Sequence, residues 1–113
     1  MSEFTFLFRG RNASGSPEEM QKHLQKWVTW MKELGANGRI REQGHPLEGT
    51  GKVVRGNAKT ISDGPYAEAK DVVGGFMVIE AADLSQAAEI SKGCPILEVG
   101  GSVEVRPVQK LNI

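Results

Sequence analysis

The stretch VVGGFMVIE at residues 72–80 decides the fold. It is apolar almost throughout and too short to cross a bilayer, so it reads as a central β-strand with both faces buried. Gly75 inside it permits a bulge or the close approach of another backbone. Downstream, Asp83 is a good cap for a helix over 84–92, with Leu84, Ala87, Ala88 and Ile90 or Ser91 facing inward. Gly93-Cys94-Pro95 stops that helix, and a last strand over 102–106 alternates polar and apolar residues.

Upstream, FTFLFR at 4–9 alternates as a half-buried strand does and ends in a Gly/Asn/Ser-rich loop. Ser16-Pro17-Glu18-Glu19 is a helix start, with a cap, a proline at the first helical position and a glutamate three residues after the cap. Met20, Leu24, Trp27, Met31 and Leu34 then form one apolar stripe, and Gly35 suits the position just past the helix end. A second strand is expected over 39–43, followed by a loop over 44–51. Two short strands over 52–55 and 58–62 around Gly56-Asn57 form a hairpin that reads as an insertion.

The order is strand, helix, strand, extra hairpin, strand, helix, strand. This predicts an α+β ferredoxin-like sandwich with both helices on one face of an antiparallel sheet. The other face is left uncovered, and the aromatic residues of the first strand are expected to expose an apolar surface there, which a homodimer through the sheet face covers.

The chain has 113 residues, the size of one domain, and its 39% hydrophobic and 25% charged residues suit a soluble globular protein. The start MSEFTFLFRG lacks the pattern of a secretory signal, so a cytoplasmic location is expected. The single cysteine, Cys94, excludes an internal disulfide, and fourteen basic against fourteen acidic residues give no electrostatic case for nucleic acid or an anionic membrane. Two histidines with no matching cysteine pair give no zinc pattern, and neither a dinucleotide fingerprint nor a nucleophile elbow is present. No metal or organic cofactor is expected. Gly49-Thr50-Gly51-Lys52 lacks the spacing of a phosphate loop.

DGPYAEAKD at 63–71, followed by GGFMVIEA at 74–81, resembles the DGPF-type branch of the YCII-related family, in which Asp-Gly-Pro-aromatic and Ala-Glu-x-Lys precede a Gly-Gly-aromatic strand. The likeness extends to SPEEM at Ser16, to the Trp27-x-x-Trp30 helix and to GGSVEVRPV at 100–108, nearly the whole chain. It implies a dimeric α/β barrel built on the ferredoxin-like unit. Its functional implications are thinner: most members are uncharacterised, and some are associated with sigma-factor-type regulators.

His23 is the first chemical candidate, on the shoulder of the apolar stripe with Trp27 and Trp30 on its own side of the helix. There it can exchange a proton near neutral pH, or serve only as a helix histidine satisfied by water or a carbonyl. The resemblance implies a His-Leu in this helix paired with an aspartate as an acid/base dyad, which His23-Leu24 matches. In shorter members that acid lies in an Asp-Pro step after the second helix. Here the step is Cys94-Pro95, and Asp63 is the replacement the sequence offers. Asp63 is equally explained by turn chemistry in Asp63-Gly64-Pro65, with Gly64 free to take a positive φ. Arg9 at the end of the first strand can clamp a carboxylate or remain solvated. Tyr66, with Trp27 and Trp30, can wall a pocket. His45 reads as solvent-exposed, and Cys94 sits where the helix dipole disfavours a thiolate. These residues suggest a homodimer that binds a small molecule, with elimination or isomerisation as the chemistry of an enzyme, or a non-catalytic ligand-sensing module associated with transcription as the alternative.

Overall fold

A computed structural model describes residues 1–10, 15–65 and 71–112. The elements are β1 (Ser2–Arg9), α1 (Pro17–Ala36), β2 (Ile40–Pro46), β3 (Gly51–Arg55), β4 (Thr60–Gly64), β5 (Val73–Ala81), α2 (Leu84–Ser91), a 3-10 turn (Pro95–Val99) and β6 (Ser102–Pro107). Four strands form an antiparallel sheet in the order β2-β5-β1-β6, and β3 and β4 pair only with each other. This is the ferredoxin-like arrangement with an inserted hairpin, as the pattern predicted. Among the described helices none is long and apolar enough to cross a membrane.

Alternation in β1 assigns the faces. Phe4, Phe6 and Phe8 are buried and pair in register with Ile79, Met77 and Gly75 of β5. They form one core with Trp30, Leu34 and Ala87, so both helices cover this face. The expectation that the β1 aromatics would be exposed is therefore reversed: they lie under the helices, and the open face carries Thr5, Leu7, Phe76 and Val78 instead. For the same reason β5 is buried on one face and half-exposed on the other within this chain. The open face is bordered by ion pairs, Arg41–Glu3 at 2.9 Å and Arg9–Glu104 at 2.7 Å.

Helix α1 starts as read, with the Ser16 hydroxyl accepting from the Glu19 amide at 3.2 Å. It runs past Gly35, because Asn37 caps it and Gly38, at φ +69°, supplies the left-handed residue. Only the C-terminal half of its stripe reaches the core. Trp30 and Leu34 are buried and Trp27 and Met31 pack against them, whereas Met20 and Leu24 are 57% and 59% exposed. In α2, Ala87 and Ser91 face inward, while Leu84 and Ala88, also expected to face inward, are exposed.

Strand β2 extends to Pro46, beyond the expected loop start, because a bulged register keeps it on β5 as far as the Pro46–Gly75 pair. The hairpin link is four residues, 56–59, with positive φ at Gly56 and Lys59, instead of a two-residue turn. Asp63 lies in β4 rather than in a turn, since the ladder continues to Gly51–Gly64; Gly64 is needed for space, its would-be Cβ lying 3.0 Å from Val53 Cγ2.

Gly44 sits in the β2 bulge at φ +69°, where a Cβ would stand 1.7 Å from the Phe76 carbonyl oxygen. Gly44→Ala is expected to cost about 2–4 kcal/mol by thermal or urea unfolding. Gly51→Ala, which meets nothing within 4 Å, should change stability by less than about 1 kcal/mol.

Candidate ligand cleft

A cleft of about 750 Å³ opens between α1 and the end of the sheet where β1 stops, β5 begins and β2 bends. Its helical wall is Leu24, Trp27 and Met31, Phe8 lies at its base, and residues 43–49 form the facing rim. The concavity arises from side chains that are missing. Gly74 and Gly75 floor the cleft, and a Cβ on Gly75 would meet the His45 carbonyl oxygen at 3.2 Å and the Phe8 ring at 3.6 Å. A largely apolar hollow of this size with a few polar residues at its rim, here Gln43 and Glu48, is the usual form of a small-molecule site.

His23 stands beside the helical wall, half-buried, one turn before Trp27. The Trp27 indole N–H donates to His23 Nε2 at 3.0 Å, with the rings 6.4 Å apart and nearly perpendicular. An accepting Nε2 fixes the tautomer: the neutral imidazole carries its hydrogen on Nδ1. Trp27 in turn meets Phe8 edge-on at 4.9 Å, so the imidazole is coupled through one indole to the base of the cleft.

The other sequence candidates are dispersed. Asp63 bonds Lys52 across the hairpin at 2.5 Å, with its side chain 88% exposed. Arg9 uses all three of its guanidinium nitrogens on the protein: Nε and Nη2 on Glu104, at 2.8 and 2.7 Å, and Nη1 on the Asp71 carbonyl at 2.6 Å. The hydrogen bond and charge of Arg9 on Glu104, reinforced by Arg106, lower the carboxyl from its ordinary value. Trp30 stacks on Phe6 at 6.3 Å as part of the core. Tyr66 lies outside the described residues. Sequence reasoning missed the two-glycine floor and the 43–49 rim; the Gly-rich run and the paired glycines ahead of a strand were the available signal. His45 is exposed, as read, and its ring meets Phe76 at 6.1 Å across the β2–β5 ladder.

The position where the resemblance places an acid is a core residue. Cys94 is 2% exposed, and burial pushes its thiol up to about 12, partly offset by a hydrogen bond from the Ile96 backbone. A thiol so held supplies almost no thiolate at neutral pH. Iodoacetamide at pH 8 should leave the folded protein unmodified and alkylate Cys94 completely in urea, with intact mass as the readout; rapid native labelling would contradict this burial.

A cleft of this kind beside an open antiparallel sheet defines a ferredoxin-like α+β protein with a small-molecule-sized hollow. The model of the YCII-related domain matches residues 4–112, and the chain belongs to that family. Among solved structures it is similar to 5-chloro-2-hydroxyhydroquinone dehydrochlorinase from Burkholderia phenoliruptrix AC1100, determined in complex with 2,5-dihydroxybenzoquinone. The TM-score is 0.54 at 17% identity, over 95% of this chain and 93% of that one. No curated protein matches the chain.

Proposed function

We propose that this protein binds a small planar molecule in the cleft and, as an enzyme, moves a proton on it with His23, in an elimination or isomerisation that uses no metal or organic cofactor. The observation that carries the proposal is the Trp27–His23 hydrogen bond. It holds an imidazole of defined tautomer against the aromatic wall of the cleft. A planar ligand lying against Trp27 and Phe8 gains burial and ring contacts, and the glycine floor lets it approach the backbone closely. That the similar dehydrochlorinase was solved with a hydroxylated quinone supports this ligand class. In the reaction Nε2 of His23, released by the Trp27 N–H, would take or deliver the proton, with Asp63 or a carboxylate of a second copy orienting the ring through its Nδ1–H. Arg9, Trp30 and Tyr66 belong to the same reading as residues that shape the site.

The test uses 2,5-dihydroxybenzoquinone and 5-chloro-2-hydroxyhydroquinone as probes. Binding should quench tryptophan fluorescence saturably, and Trp27→Ala should weaken it about tenfold or more, a loss of at least roughly 1.4 kcal/mol. His23→Gln should keep affinity within about threefold while abolishing any chloride release, a split between binding and turnover. Failure of the wild-type chain to bind either probe sinks this ligand class; turnover that survives His23→Gln removes the histidine from the chemistry.

We further propose that two copies pair through their open sheet faces to complete an α/β barrel, a cytoplasmic homodimer with no nucleic-acid or membrane partner. Leu7, Phe76 and Val78 form an apolar centre on that face, framed by the Arg41–Glu3 and Arg9–Glu104 pairs. Sedimentation at micromolar concentration should show a dimer, and Val78→Lys should shift it to monomer without unfolding it. A wild-type monomer would remove this assembly.

A further inference from the structure

The hairpin β3–β4 lacks substantial packing against the helices or the four-stranded sheet among the described residues. Val54 and Ile61 face each other across it and are 62% and 67% exposed. A lone two-stranded hairpin is marginally stable in water, and an uncovered apolar cross-strand pair has everything to gain from a surface to cover. Both roots of this arm lie on the rim of the cleft, since Gly49, just before β3, and Pro65, just after β4, line it. The root pair is Gly51–Gly64, and Gly51 has no steric reason to be glycine, because a Cβ there would meet nothing within 4 Å. A glycine without a packing role at the base of an arm is backbone freedom at a hinge.

The rim also offers a matching surface. Leu24 and Leu47 line the cleft yet are 59% and 49% exposed, and Met20, one turn before Leu24, is 57% exposed. Three residues of strand carry Val54 about 10 Å from Gly51, and a hollow of about 750 Å³ is roughly 9 Å across, so the arm is long enough to span it. We propose that the arm is a lid: it folds over the cleft from the Gly51–Gly64 root and sets Val54 and Ile61 onto Leu24, Leu47 and Met20, sealing the bound molecule from water. This rests on the cleft being the binding site. Strand alternation puts Lys52 and Asp63 on the same face of the arm as Val54 and Ile61, so closure also delivers their ion pair to the mouth of the cleft. Closure onto the arm's own cleft is favoured over exchange with a second copy because tethering at both roots sets an effective concentration that micromolar protein does not match.

The test is cross-linking in the full chain without ligand. Leu24, Val54 and Ser102 are exposed, so Leu24→Cys with Val54→Cys, and Ser102→Cys with Val54→Cys as a control to the far edge strand β6, are surface changes. Under diamide the Leu24–Val54 pair should form a disulfide at monomer mass about tenfold faster than the control pair. Equal rates, or a cross-link only at dimer mass, overturn the lid, the latter assigning the arm to a second copy. A fast monomer-mass cross-link in a chain that binds neither quinone nor hydroquinone probe upholds the lid and overturns the binding reading instead.

Discussion

The contact on which the rest depends is the cross-layer aromatic cluster. Phe6 and Phe8 of β1 meet Trp30 at 6.3 and 6.1 Å, Phe8 meets Trp27 at 4.9 Å, and the two tryptophans meet at 5.8 Å. Each such pair is worth roughly 0.5–1.5 kcal/mol beyond its burial, so the cluster alone pins α1 to the sheet. Its position along α1 matters as much as its strength. The anchor lies in the second half of the helix, leaving the first half, with Met20 and Leu24, projecting beyond the end of the core. The cleft is the space beneath that overhang, and the glycines of β5 keep it open from the other side.

Trp27 does two jobs in this arrangement. Its ring closes the aromatic cluster against Phe8, and its N–H goes to His23, which satisfies a polar atom that would otherwise be half-buried without a partner. The imidazole is therefore held by the same side chain that walls the cleft. Replacing the indole with a benzene ring would preserve much of the packing and lose the tautomer control, so the two roles are separable in principle.

The sequence revealed the layers but not the site. Period-two and period-3.6 patterns, the Ser16 and Asp83 caps and the apolar run of β5 are local signals, and they mark elements that the structure contains. Face assignment in β1 depends on which side the helices choose, a tertiary decision that the alternation of the phenylalanines does not carry. Gly44 and Gly64 read as breakers in the sequence, yet β2 and β4 include them. One absorbs a bulge and the other fits a crowded ladder, and neither role is visible without the partner strand. The cleft was illegible for a related reason: it is made by glycines, whose message is the absence of a side chain next to residues far away in sequence.

The fate of the two carboxylate positions follows from burial. An aspartate at position 94 would place a charge among residues 2–3% exposed, including Ile96, at a desolvation cost of several kcal/mol without a partner. A thiol there is compatible with the core, and its high proton affinity is the measure of how dry the position is. Asp63 has the opposite environment, paired with Lys52 on an exposed arm. A surface pair of this kind holds by little, roughly 0.2–1 kcal/mol, so Lys52 is a weak competitor for the carboxylate. In the proposed reaction, Asp63 can serve His23 only if the arm that carries it closes over the cleft.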